Sequence, residues 1–212
     1  MTRGRTLPRS FYARDPRELA PLLLNKLLVA RTDDGTRLAA RLVEVEAYCG
    51  SEDPGSHAYR GMTPRTEVMF GPPGHLYVYF TYGMHWCSNV VATKDGDGAA
   101  VLLRAAAPVD GIEVMRKRRL KARRDRDLLA GPARLCQAFG LTGAANGTDL
   151  VRGPVRILDD GVPPPDSPGI STRIGLALGR GDESLWRFFV PGDPNLSRAE
   201  QRSSLRLRRD RR

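Results

Sequence analysis

Two strand-forming runs, Lys26 to Arg31 and Thr36 to Tyr48, flank Asp33-Asp34-Gly35, a turn sequence that tolerates positive φ. A hairpin of this length commits the chain to an antiparallel sheet. A helix is expected just before it. Asp15 offers a side-chain cap, Pro16 suits the first helical position, and Glu18 to Leu24 supply helix formers with an apolar face. Farther along, Leu76 to Tyr82 and Trp86 to Ala92 enclose Gly83-Met84-His85, a second hairpin with Tyr82 beside its tip. Alternation puts Tyr77 and Tyr79 on one face and Val78 and Phe80 on the other. Ala100 to Ala106 continues the sheet and carries Arg104 in an otherwise apolar strand, where a charge needs a reason.

Residues 50–75 are rich in Gly, Pro and Ser and read as a shaped loop, with one short helix capped at Thr63-Pro64 and ending near Gly71. Residues 110–129 and Pro132 to Phe139 read as helices, and 155–158, 172–178 and 185–190 as late strands. The order is mixed, without repeats or a linker-like shift in composition. It predicts a single mixed α/β (α+β) domain over residues 1–197, followed by a basic, mobile tail over 198–212 that holds seven arginines.

Charge narrows the partners. Thirty-four Lys plus Arg against 24 Asp plus Glu give a net charge of +10, a field that favours encounters with polyanions. Charge alone leaves a nucleic-acid binder and an ordinary basic protein equally open. Cys49, Cys87 and Cys136 are odd in number and widely spaced, which supports neither a disulfide framework nor a zinc ribbon. His57, His75 and His85 add no metal-ligand spacing, and Gly71-Pro-Pro-Gly74 lacks the Lys-Ser/Thr ending of a phosphate loop. Neither a metal site nor a bound nucleotide triphosphate is expected from these spacings. With no apolar stretch behind the N-terminus, and Leu22 to Ala30 too short to span a bilayer, the expectation is a cytoplasmic protein with no membrane contact.

Candidate site residues gather around the end of the first hairpin. Glu46 has the type and setting of a general base, a carboxylate near rings; a salt-bridged structural Glu is the competing reading, and Glu44 shares its strand face. Tyr48, His57 and Tyr79 can wall a pocket for a flat, electron-poor or cationic ligand, or pack as ordinary core. Tyr82 at a hairpin tip suits a wedge that enters a base stack, or packs on neighbouring loops. The cluster Arg116-Lys-Arg-Arg119 with Lys121, Arg123, Arg124 and Arg126 is either a solvated face or a set of phosphate contacts.

Taken together, Glu46-Ala-Tyr48, Ser56-His-Ala-Tyr-Arg-Gly61, Thr63-Pro-Arg65, Met69-Phe-Gly-Pro-Pro-Gly74, Leu76-Tyr-Val-Tyr79, Tyr82-Gly-Met84 and Asn89 resemble the alkyladenine (3-methyladenine) DNA glycosylase family. Val101-Leu-Leu-Arg104, Gly131-Pro-Ala-Arg-Leu-Cys-Gln137, Asn146-Gly147 and Thr172-Arg-Ile-Gly175 extend the resemblance from about residue 10 to about 197. It implies a curved antiparallel sheet with surrounding helices and a protruding hairpin. It also implies a monofunctional base-excision enzyme, without cofactor or metal, that flips a damaged nucleotide out of double-stranded DNA; a monomer is expected because one domain would reach the DNA footprint.

By the same resemblance Glu46 activates water, and Arg104 and the main chain at Ile174 help hold that water. Tyr48, His57 and Tyr79 stack on the base, Asn89 crowds the exocyclic amine of normal guanine, and Tyr82 fills the gap the base leaves. The chain departs from the family pattern at Thr66, usually Asn, at Cys49, usually aliphatic, and in a slightly long turn at 92–98. Two alternatives remain open at this stage: a noncatalytic DNA-binding module, and a glycosylase with lyase activity, although Lys26, Lys94, Lys117 and Lys121 fall outside the matching motifs. The sequence does not rank 3-methyladenine, 7-methylguanine, hypoxanthine and ethenoadenine as lesions.

Overall fold

The computed structural model describes residues 4–197, so the arginine-rich tail read for 198–212 lies outside the described residues. A two-residue strand, β1 (Arg5–Thr6), and a one-turn helix, α1 (Arg9–Tyr12), lead into α2 (Pro16–Leu23). The α2 start matches its sequence signal: the Asp15 carboxylate accepts from Arg17 N, with Pro16 at the first helical position. Asn25, at φ +65°, then turns the chain into the long hairpin of β2 (Leu27–Arg31) and β3 (Arg37–Tyr48).

The second hairpin pairs β4 (His75–Thr81) with β5 (His85–Val91), and β6 (Ala100–Asp110) follows, running on past the expected end at Ala106. Four short strands complete the set: β7 (Thr148–Asp149), β8 (Arg156–Asp159), β9 (Gly169–Ser171) and β10 (Arg187–Phe189). Their order is β1-β8-β2-β3-β6-β5-β4-β7, all antiparallel, with β10 bridging β3 and β9. β3 is the pivot. It pairs with β2 over its first half, with β10 at Glu44 to Glu46, and with β6 along most of its length. That exchange of neighbours accompanies the curl of the sheet into a half-barrel, as expected for a curved antiparallel architecture.

The core lies where α2, α3 (Ile112–Arg118) and α4 (Pro132–Phe139) cover the sheet, burying Leu19, Leu23, Leu42, Leu103, Leu135 and Phe139 among others. α4 has the expected bounds, opened by Pro132 and closed by Gly140 at φ +72°, the left-handed conformation that suits a residue after a helix C-terminus.

Three sequence expectations are corrected. No α-helix starts at Thr63-Pro64; a single 3-10 turn spans Glu67–Phe70. The Thr66 hydroxyl accepts from Thr63 N at 2.9 Å and closes a local turn, and too few residues remain before Gly71-Pro72-Pro73 to repay helix nucleation. The helix expected over 110–129 stops at Arg118. Beyond it Leu120 is 87% exposed, so the apolar face has ended, and Arg116 and Arg119 fold the chain back by bonding Asp125 and the Leu128 carbonyl. The strand read at 172–178 is loop, and β9 lies before it, because Gly175 sits at φ +85° and the Arg173 side chain turns into the interior.

Candidate active site

Glu44 and Glu46 stand two apart on β3 and so share a face of the sheet; both are fully buried. A buried carboxylate requires donors. Arg104, from β6, supplies two at once: its Nε donates to Glu44 Oε1 at 2.8 Å and its Nη1 to Glu46 Oε2 at 3.2 Å. The β3–β6 ladder shifts register on both sides of Glu44, which pairs with Ala105, and the second shift leaves Arg104 unpaired between Ala105 and Leu103, the kind of irregularity that re-aims a side chain. This accounts for a charge within an apolar strand.

The two carboxylates have different remaining partners. Glu44 also accepts from Arg187 Nε at 2.9 Å, Ser197 Oγ at 2.8 Å and Ser197 N at 2.7 Å. Burial alone would raise the Glu44 pKa, but Arg104 and Arg187 outweigh it and hold the carboxyl below the usual range. Glu46 accepts from Tyr48 Oη at 3.0 Å on Oε2 and from the Ile174 amide at 2.7 Å on Oε1. Burial, reinforced by the charge of Glu46, pushes the Tyr48 phenol well above its ordinary pKa, so it remains a donor at neutral pH.

Beside Glu46 lies a cavity of about 220 Å³. Tyr48, Arg104 and Ile174 line it, as do His57, Tyr79 and Asn89, so the expected ring and amide residues do converge, with Glu46 directly behind its own three partners. His57 meets Tyr79 edge to face at 4.4 Å between ring centres, Tyr79 stacks on Tyr77 at 5.4 Å, and Arg65 lies over Tyr79 at 5.4 Å. The His57 ring keeps one edge in solvent and shares a 3.1 Å hydrogen bond, through Nδ1, with the Tyr77 hydroxyl. Loss of hydration over the covered part, followed by the charge of Arg65, pushes its pKa down to about 4, leaving a neutral imidazole at pH 7. Asn89 is buried and donates from Nδ2 to the Tyr77 carbonyl at 3.3 Å.

Tyr82 sits at the mouth of this cavity, 82% exposed and at φ +51°, with Gly83 at φ +65° completing the tip. It does not pack onto neighbouring loops. In the basic cluster, several guanidinium groups are engaged within the chain: Arg116 with Glu113 and Asp125, Arg118 with the Ala138 carbonyl, Arg119 with Gln137, Arg124 with Asp127. Among the described residues no three His, Cys, Asp or Glu side chains group as metal ligands would, and no helix is long and apolar enough to cross a membrane.

Sequence reasoning missed two components. Tyr77 completes the ring stack, and its alternation with Tyr79 was the available signal. The second is a fully buried ion pair behind the cavity wall, Arg173 with Asp53, 120 residues apart; Arg173 fell within a recognised motif, but nothing local to Asp53 marks it. The whole arrangement sets a donor-held carboxylate against a ring-lined slot, suited to general-base work and to stabilising developing positive charge.

Comparison with known proteins gives a consistent picture. The family model described as methylpurine-DNA glycosylase matches residues 10–194. Similar relatives include proteins of Burkholderia cenocepacia (strain HI2424), 52% identical over 201 residues and 94% of each chain, and Streptomyces avermitilis, 48% identical over 194 residues and 90% of each. A relative from Methanocella arvoryzae is 44% identical over 194 residues, 91% of this chain and 96% of its own. All three carry "3-methyladenine DNA glycosylase" in their names.

Proposed function

Because the chain belongs to the methylpurine-DNA glycosylase family, and is therefore a DNA glycosylase and a hydrolase of DNA repair, we propose that Glu46 activates the water that frees a damaged purine from duplex DNA. The observation that carries this reading is the placement of the Glu46 carboxylate: buried, held by Arg104, Tyr48 and the Ile174 amide, and immediately behind the cavity those three line.

The damaged nucleotide leaves the duplex and its base enters the slot among Tyr48, His57 and Tyr79. Extracting it costs a few kcal/mol of stacking and pairing, least for a damaged base. Tyr82, exposed at a protruding tip, fills the gap. An alkylated purine carries positive charge, which electron-rich rings and a neutral imidazole favour. As the N-glycosidic bond lengthens, positive charge develops on the sugar and the Glu46 carboxylate stabilises it. Water then bonds to the anomeric carbon, its proton passes to Glu46, and the bonding pair leaves with the purine.

Asn89 borders the cavity where an exocyclic amine of normal guanine would crowd it, a discrimination by clash. Alkylated and deaminated purines, hypoxanthine among them, are the substrate class, and one domain acting as a monomer suffices. No lysine lines the cavity among the described residues, which favours monofunctional hydrolysis over a lyase that needs an amine nucleophile. The test is single-turnover release of free base from duplexes carrying methylated purines or one hypoxanthine, with wild type and Glu46→Gln side by side. Release by wild type alone supports the reading; tight DNA binding with no release from any lesion overturns it.

A further inference from the structure

Behind the ring-lined slot, both terminal nitrogens of the Arg173 guanidinium are held, while its buried Nε has no hydrogen-bond partner. Nη1 donates to Asp53 Oδ2 at 2.5 Å and to the Ala47 carbonyl at 3.0 Å; Nη2 donates to Asp53 Oδ1 at 2.7 Å and to the Gly181 carbonyl at 3.0 Å. Its Cζ lies over two rings, 4.6 Å from the centre of Tyr48 and 4.9 Å from that of Trp186. Both members of the Arg173–Asp53 pair are fully buried in their side chains. Asp53 in turn accepts from Cys49 N at 3.2 Å and Gly55 N at 2.9 Å, which fixes the turn leading to His57. The loops close so tightly that a Cβ at Gly181 would stand 2.5 Å from Arg173 Nη2.

A buried ion pair of this kind is poor evidence for stability, because desolvating both charges offsets most of their attraction. Its position gives it a different role. One guanidinium clips together the end of β3, the turn at 49–55 and the loop at 173–181; the first carries Tyr48, the last carries Ile174, and the turn leads into His57. The residue after Arg173 delivers its amide to Glu46 Oε1 at 2.7 Å, and the ring against Arg173 belongs to Tyr48, whose hydroxyl donates to Glu46 Oε2.

We infer that Arg173, locked by Asp53, is a positioning residue for excision: it holds the Tyr48 wall and the Ile174 amide in register with the Glu46 carboxylate. Neither Arg173 nor Asp53 lines the cavity, so neither touches the base; they act through Tyr48 and Ile174. This rests on Glu46 serving as the carboxylate of the reaction. Lysine cannot replace the arginine, since an ammonium offers neither the planar fork for Asp53 nor a flat face for two rings.

The test compares full-length wild type, Arg173→Lys, Asp53→Asn and Glu46→Gln by single-turnover excision on a hypoxanthine duplex, with the active fraction taken from the reaction amplitude. A hydrogen bond to a charged group carries about 1.5–3 kcal/mol, so misplacing the Ile174 amide slows excision by Arg173→Lys about tenfold or more. The loss appears in the rate constant at saturating enzyme and not in the affinity for the lesion duplex, the split expected of a residue that acts on the chemical step through Ile174. Asp53→Asn, which keeps an acceptor for Gly55 N, shows the same loss to a smaller degree and decides the matter if Arg173→Lys does not fold. A purely structural role would lower only the amplitude; unchanged rate constants in folded variants overturn the inference. Retained excision by Glu46→Gln would instead overturn the proposal beneath it.

Discussion

Glu44 and Glu46 hold one guanidinium between them: Arg104 gives its Nε to the first at 2.8 Å and its Nη1 to the second at 3.2 Å. Glu44 thereby fixes the arginine that also bonds Glu46, and the two carboxylates differ in their remaining partners: Arg187 and Ser197 for Glu44, Tyr48 and the Ile174 amide at the cavity wall for Glu46.

Glu44→Gln removes the charge that balances Arg104 and Arg187 in a fully buried setting. Breaking a buried pair from one side costs about 3–5 kcal/mol, measurable as a lower denaturation midpoint in urea with an unchanged slope. The wild-type pH dependence follows from the depressed Glu44 pKa. The contribution is present above the unfolded carboxyl value of 4.5 and is lost as pH falls below it, and Glu44→Gln flattens that acid decline.

Glu46→Gln keeps size and buried polarity and removes the base. General-base assistance supplies about 10²–10⁴ in rate, so excision falls by that order while affinity for lesion-bearing duplex, followed by fluorescence anisotropy, persists. Wild-type rates from the variant would remove Glu46 from its assigned role.

Tyr82→Ser changes a side chain that is 82% exposed, so stability moves by no more than about 0.5 kcal/mol. Flipping weakens. Stopped-flow fluorescence of ethenoadenine in duplex DNA reports it as a smaller and less stable flipped population, and an unchanged signal counts against the wedge.

His57 titrates near 4, pushed down from 6.5 first by loss of hydration and then by Arg65. Between those values the unfolded chain binds a proton that the folded chain refuses. Stability therefore falls as pH drops through this window, and the His57 contribution is intact above about 6.5. Nitrogen NMR of the imidazole checks it: a neutral tautomer at pH 5.5 is the expected result, and an imidazolium there refutes it.

Much of the site was legible because its residues sit on strands with strong local signals. The turn at Asp33 to Gly35 sets the hairpin, alternation then fixes which face Glu44 and Glu46 share, and the Pro132 and Gly140 punctuation gives α4 its limits. Glu44 could not be separated from Glu46 by pattern; only the partners at Arg187 and Ser197 distinguish them, and these arrive from more than 140 residues away. The helix read for 110–129 failed at Leu120 because composition favoured helix where no apolar face remained to bury. Arg173 looked like a strand residue because its motif was read without Asp53, whose proximity only the folded loops create.

The two buried carboxylates on β3 also bear on how such a chain evolves. Each spends folding free energy that apolar side chains of similar volume would return, since replacing a buried ionic network as a whole is often neutral or stabilising. Under selection for thermal endurance alone, hydrophobic residues at positions 44, 46, 104 and 187 together would serve the sheet as well or better. On the proposed mechanism such a sheet no longer excises a base, so the four charges answer a demand of chemistry and not of stability.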